Sequence, residues 1–213
     1  MLKRFLLSAI PFAVLAPFAV VGVSAAPANF PDPTTDIPTS TASKHEKAVL
    51  AGGCFWGMEA VFESLKGVSK VVSGFAGGAK NTANYETVSE GRTGHAESVE
   101  ITYDPSQISY GQILKVYFSV AHDPTQLNRQ GPDFGTQYRS VIFTHGPEQA
   151  RIARERLEAL KASGRYKGPV VTQIEPAPAF WRAEDYHQRY FQKHGGHCHV
   201  SFAELQEQEA AAK

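Results

Sequence analysis

A short apolar run, Ala48-Val49-Leu50-Ala51, ends at the pair Gly52-Gly53, and beyond the pair the hydrophobic pattern changes its period. Phe55, Met58, Val61, Phe62 and Leu65 recur every three or four positions, as on one face of a helix. The stretch 47–66 therefore reads as a strand, a sharp turn and a helix, with Cys54 where the turn becomes the first helical turn. Backbone N–H groups at a helix start favour an anion. A thiol held there is stabilised as thiolate, which is the nucleophilic form of cysteine. Phe55 and Trp56 follow at once and give the sulfur an aromatic wall. The bland reading is a buried, inert cysteine, a common fate of this residue type; the position at a Gly-Gly turn speaks for reactivity instead.

The remaining composition narrows the field. A chain of 213 residues, 42% of them hydrophobic, suits one domain plus extensions. Lys and Arg number 21, as do Asp and Glu, and no basic stripe points to nucleic acid. Residues 1–25 carry the marks of a secretory signal: Lys3-Arg4, an apolar stretch from Phe5 to Val21, and Val23-Ser24-Ala25 before a cleavage point between Ala25 and Ala26. The rival is an uncleaved membrane anchor, since the stretch approaches spanning length; Pro11 and Pro17 favour cleavage and a periplasmic destination. Residues 26–46 hold four prolines among many Ser and Thr and read as a linker. The domain is expected over 47–213. In an oxidising compartment the two cysteines, Cys54 and Cys198, form either a structural disulfide or a pair that cycles between thiols and disulfide.

Along the domain, strands are expected at 48–51, 68–73 (ended by Gly74), 97–103, 138–144 and 170–175, the last broken by Pro176 and Pro178. Helices are expected at 54–66, after a Ser109 cap, from Pro147 to about Ser163, and over 183–193. Long loops cover 75–94 and 122–135, and long loops often carry function. The first six elements run strand, helix, strand, strand, helix, strand, the order of the ferredoxin-like split β-α-β pattern. The fold expected is α+β: a ferredoxin-like βαββαβ core, an antiparallel or mixed sheet with helices on one face, and a further helix and strand near the C-terminus. Gly195-Gly196 open an irregular, mobile tail that carries Cys198.

Gly52-Gly53-Cys54-Phe55-Trp56-Gly57 resembles the signature of peptide methionine sulfoxide reductase A. Further stretches agree in order: Gly94-His95-Ala96-Glu97, His122-Asp123-Pro124, Arg129-Gln130-Gly131, Gly135-Thr136-Gln137-Tyr138-Arg139-Ser140 and Ala183-Glu184-Asp185-Tyr186-His187-Gln188. The match covers about residues 47–200. The resemblance implies reduction of methionine sulfoxide, free or in proteins, of the S epimer; the two epimers need separate enzymes.

The chemistry suits that implication. A sulfoxide sulfur is a poor electrophile until its oxygen is protonated or hydrogen-bonded, so a thiolate and an acid are needed together. Cys54 is the expected nucleophile. The resemblance makes Glu97 the acid, and a carboxyl buried beside aromatics keeps its proton towards neutrality. On the residues alone, Glu90 and Glu100 stand level with it. By the resemblance, Tyr85 and Tyr138 hydrogen-bond the sulfoxide oxygen, a role a neutral phenol suits, and Asp133 binds substrate. Taken singly, the tyrosines read as packing residues and Asp133 as a turn residue. Phe55 and Trp56 would enclose the substrate methyl group. Cys54 then becomes a sulfenic acid, which a second thiol can condense with. Cys198 is the one candidate in the chain, and the resemblance implies that a thioredoxin-like protein reduces the resulting disulfide. No cofactor or resident metal is expected, and a monomer is expected because nothing in the sequence suggests an obligate oligomer. The sequence departs from the family at His197, where a tyrosine is common, at Phe75 and Ala83, and in lacking a further C-terminal cysteine.

Other readings belong beside this one. His194, His197, Cys198 and His199 offer soft-metal ligands, though too closely spaced for an easy tetrahedron. A thiol peroxidase would use the same sulfenic acid without a methyl pocket. A secreted domain with a structural disulfide would use no chemistry at all.

Overall fold

The computed structural model describes residues 30, 35–37 and 45–196. The proposed signal, most of the linker, and Cys198 with its neighbouring histidines His197 and His199 lie outside the described residues. The elements are β1 (Glu46–Ala51), α1 (Phe55–Glu63), β2 (Val68–Ala76), α2 (Tyr85–Ser89), β3 (Ala96–Tyr103), α3 (Tyr110–Val116), β4 (Arg129–Gln130), β5 (Asp133–Phe134), β6 (Val141–Thr144), α4 (Gly146–Ala162), β7 (Gln173–Pro176), β8 (Phe180–Arg182) and α5 (Tyr190–His194).

The main sheet has six strands in the order β7-β6-β1-β3-β2-β8, and β4 and β5 form a separate hairpin. The inner four, β6-β1-β3-β2, are the antiparallel sheet that the split β-α-β order requires. β7 adds a parallel pair beside β6 and β8 an antiparallel pair beside β2, so the sheet is mixed. The α+β expectation holds. Strand alternation sorts the core. Ala48, Leu50, Phe75, Val99, Ile101 and Ile142 pack with Met58, Phe62, Ile113, Leu114, Ile152 and Leu157 from α1, α3 and α4, all on one face. Val49, Ala51, Ala76, Ala96, Val141 and Phe143 form a smaller cluster on the other face. β1 reads as a continuous apolar run because both its faces are covered.

Local chemistry explains several boundaries. Ser109 caps α3 in a full capping box: its Oγ accepts from the Gln112 N–H at 3.1 Å, and its own N–H donates to Gln112 Oε1 at 2.8 Å. In the stretch read as a linker, Asp36 Oδ1 accepts from the Gly111 N–H at 2.9 Å, and Phe30 lies beneath the guanidinium groups of Arg156 and Arg165. At these points the segment lies on the domain. α4 turns Arg151, Glu148 and Glu155 to solvent as ion pairs of 2.5 and 2.9 Å.

Four expectations need correction. Gly74 does not end β2, which continues to Ala76. A Cβ at Gly74 would sit 2.4 Å from both the Phe180 ring and the Trp181 carbonyl, so glycine there admits β8 instead of breaking the strand. β8 itself was not anticipated. The strand expected at 138–144 starts only at Val141, because residues Thr136–Tyr138 form a 3-10 turn. The strand expected at 170–175 runs Gln173–Pro176, and the helix expected at 183–193 is a 3-10 turn at Asp185–His187 followed by α5. No helix among the described residues is long and apolar enough to cross a membrane.

Candidate active site

The turn that carries Cys54 is fixed from beneath. Tyr117 donates its O–H to the Ala51 carbonyl at 2.8 Å and lies 2.9 Å from Ser140 Oγ. That hydroxyl also meets His122 Nε2 at 2.7 Å and Thr172 Oγ1 at 2.8 Å. A Cβ on Gly52 would stand 2.9 Å from the His122 ring, so only glycine lets the turn rest on this network. Gly53 takes φ 99°, the left-handed region glycine favours, and Cys54 follows as the N-cap of α1.

Cys54 is buried, with 9% of its surface exposed. The first N–H of α1, that of Phe55, donates to Glu97 Oε2 at 3.0 Å. The first N–H of the helix thus binds the Glu97 carboxyl group, at the residue next to Cys54. Glu97 is 2% exposed, on β3 opposite Phe75. Glu90 is exposed, and Glu100 pairs with Lys47 at 2.9 Å, so neither competes for this position.

Aromatic rings close the site. Phe55 lies 6.4 Å from Tyr85, 5.7 Å from Phe75 and 6.3 Å from Trp56, centroid to centroid. Tyr85 opens α2, which Asn84 caps by accepting from the Thr87 N–H. Burial raises the Tyr85 pKa, and the Glu97 charge beside it raises it further. Tyr138 ends the 3-10 turn after β5. Burial, then Glu97, Tyr85, Asp133 and Cys54 in turn, push its pKa well above the usual phenol value. Glu97 and Cys54 thus act electrostatically on both phenols, Asp133 acts on Tyr138, and both phenols keep their protons. Trp56, Tyr85 and Glu97 thus contact Phe55, the residue after Cys54, and Glu97, Tyr85, Asp133 and Cys54 each act electrostatically on Tyr138; Cys198 lies outside the described residues.

The structure adds two residues that sequence reasoning did not single out. Trp56 Nε1–H donates to His187 Nδ1 at 3.0 Å, and the indole stacks on Tyr190 at 3.7 Å with a 6° tilt. His187 also packs on Phe55 and Tyr85 at 5.1 and 4.3 Å. Burial lowers its pKa, so the ring is neutral and free to accept the indole proton. Both residues hold the Trp56 indole in place. Among the described residues no group of three metal-ligating side chains occurs.

A family profile described as peptide methionine sulfoxide reductase matches residues 46–213. Among curated proteins, a peptide methionine sulfoxide reductase MsrA 2 of Mesorhizobium japonicum is 56% identical over 160 residues, 75% of this chain and 82% of its own. An MsrA 2 of Synechocystis sp. is 51% identical over 177 residues, 82% of this chain and 83% of its own. Among solved structures, reduced Mxr1 of Saccharomyces cerevisiae aligns with a TM-score of 0.68 and 32% identity, over 73% of this chain and 89% of that one. Methionine sulfoxide reductase A of Corynebacterium diphtheriae aligns with a TM-score of 0.65 and 38% identity, over 79% and 85%. On this evidence the chain belongs to the peptide methionine sulfoxide reductase A family of oxidoreductases.

Proposed function

We propose that this chain reduces the S epimer of methionine sulfoxide, free or within proteins, with Cys54 as nucleophile and Glu97 as acid. The observation that carries the reading is the 3.0 Å bond from the Phe55 N–H to Glu97 Oε2, which holds a buried carboxyl at the backbone of the residue next to Cys54. Phe55 and Trp56 take the substrate methyl group, and Asp133 orients its polar backbone. Tyr85 and Tyr138, kept neutral by burial, donate to the sulfoxide oxygen while protonated Glu97 supplies its proton. The Cys54 thiolate attacks the sulfoxide sulfur, and the oxygen passes to Cys54. Methionine leaves reduced by two electrons, and Cys54 is left as a sulfenic acid.

Cys198 is the recycling thiol in this reading. Its sulfur bonds to that of Cys54, the S–O bond breaks and water leaves, giving the Cys54–Cys198 disulfide. A thioredoxin-like protein supplies the two electrons that reopen it. Export by the N-terminal signal, with cleavage between Ala25 and Ala26, would require a donor outside the cytoplasm, because that compartment is oxidising.

The direct test of the acid is Glu97→Gln, which keeps an acceptor for the Phe55 N–H and removes the proton. Single-turnover methionine release should slow by about 10²-fold or more while the fold is retained. A near-normal rate would remove Glu97 from the role.

A further inference from the structure

α1 turns one stripe, Trp56, Glu59 and Glu63, towards the segment after His187, and each of the three residues holds it. Trp56 stacks on Tyr190. Glu59 Oε2 accepts from the Arg189 N–H at 2.7 Å. Glu63 Oε2 accepts from Gln192 Nε2 at 2.6 Å, and its Oε1 lies 3.4 Å from Arg189 Nε. Of the two carboxylates only Glu59 is buried, at 1% exposure. Arg189 sits at φ 53°, ψ 42°, a left-handed conformation that surroundings must hold in a non-glycine residue, and it is the residue just before α5. Beyond α5, Gly195, Gly196 and His197 alone separate His194 from Cys198. That stretch spans at most about 13 Å when fully extended. The place where α5 sits therefore sets the volume that Cys198 can search.

We propose that Glu59 is a positioning residue for the recycling half of the reaction: by holding Arg189 it docks α5 on α1 and keeps Cys198 within reach of the Cys54 sulfenic acid. The proposal rests on the reading of Cys198 as the recycling thiol. Docking raises the effective concentration of the second thiol without adding any contact to the reacting atoms. Trp56 keeps its bond to His187, so the methyl pocket does not depend on this catch alone.

The catch also has a pH dependence. Burial, against the opposing Arg189 N–H and with help from the Glu63 charge, raises the Glu59 pKa from 4.5 to about 7. The charged groups facing it are Glu63 on α1, Lys70 on β2, Arg182 on β8 and Arg189 before α5, around a cavity of about 450 Å³. A pKa raised in the docked state means that the docked state retains the proton. Docking is therefore strongest below about pH 4.5 and weakens as pH rises through about 7.

The test follows methionine release and loss of both thiols over time in a single turnover of the reduced, full-length protein. Glu59→Ala should slow loss of the second thiol, relative to methionine release, by about tenfold or more. Glu59→Gln, whose amide oxygen still accepts the Arg189 N–H, should restore that second rate. The ratio of the wild-type to the Glu59→Gln rate should fall as pH rises from about 4.5 to about 7 and level off above that. Unchanged second-thiol loss in Glu59→Ala, or superimposable pH profiles for wild type and Glu59→Gln, would overturn the proposal. A wild type that loses only one thiol per methionine would instead remove Cys198 as the recycling thiol, and this role with it.

Discussion

The N–H of Phe55 and the carboxylate of Glu97 are 42 residues apart in the chain and 3.0 Å apart in space. Cys54 was legible because its signals are local: a Gly-Gly turn before it and a helical period after it. Glu97 was not, since Glu90 and Glu100 look the same on paper and only the family resemblance separated them. Burial now separates them physically. His187 was harder still. It appeared only within a matching string, and its partner Trp56 lies 131 residues away. Replacing His187 with Leu leaves the Trp56 N–H without its acceptor inside the pocket wall, a loss of about 1–3 kcal/mol. The kcat/KM for methionine sulfoxide should fall by about tenfold or more, mostly through KM. Steady-state kinetics check this, and an unchanged KM would mean that the bond does not fix the indole.

At the scale of the element, the regular pieces were readable and the edges were not. β1, α1, β3, the Ser109 cap and α4 follow from period and capping chemistry held in a few neighbouring residues. β8 has three residues and lies between prolines and a 3-10 turn, and its only reason to exist is the edge of β2. Gly74 shows why such edges escape a linear reading: a residue that signals a break locally is the one that permits close approach in space. Gly74→Val should push β8 off the sheet and destabilise the domain by about 1–3 kcal/mol. A lower denaturant midpoint with unchanged slope would show it, whereas an unchanged midpoint would contradict the packing account.

For the molecule as a whole, the order of the first six elements was enough to give the sheet its inner four strands and put the helices on one face. The C-terminal additions serve the site more than the core. β8 leads to the turn at His187, and His187 and Tyr190 grip Trp56 before the chain runs on towards Cys198. The central claim is that a sulfoxide is reduced by two thiols of one chain in sequence. The measurement that tests it most directly is single-turnover release of methionine from each sulfoxide epimer by pre-reduced protein, with thiols counted before and after, in the wild type and in Cys198→Ser. The account predicts one methionine from the S epimer, none from the R epimer, two thiols lost in the wild type and one in the variant. No methionine from either epimer, with every thiol still present, would contradict it.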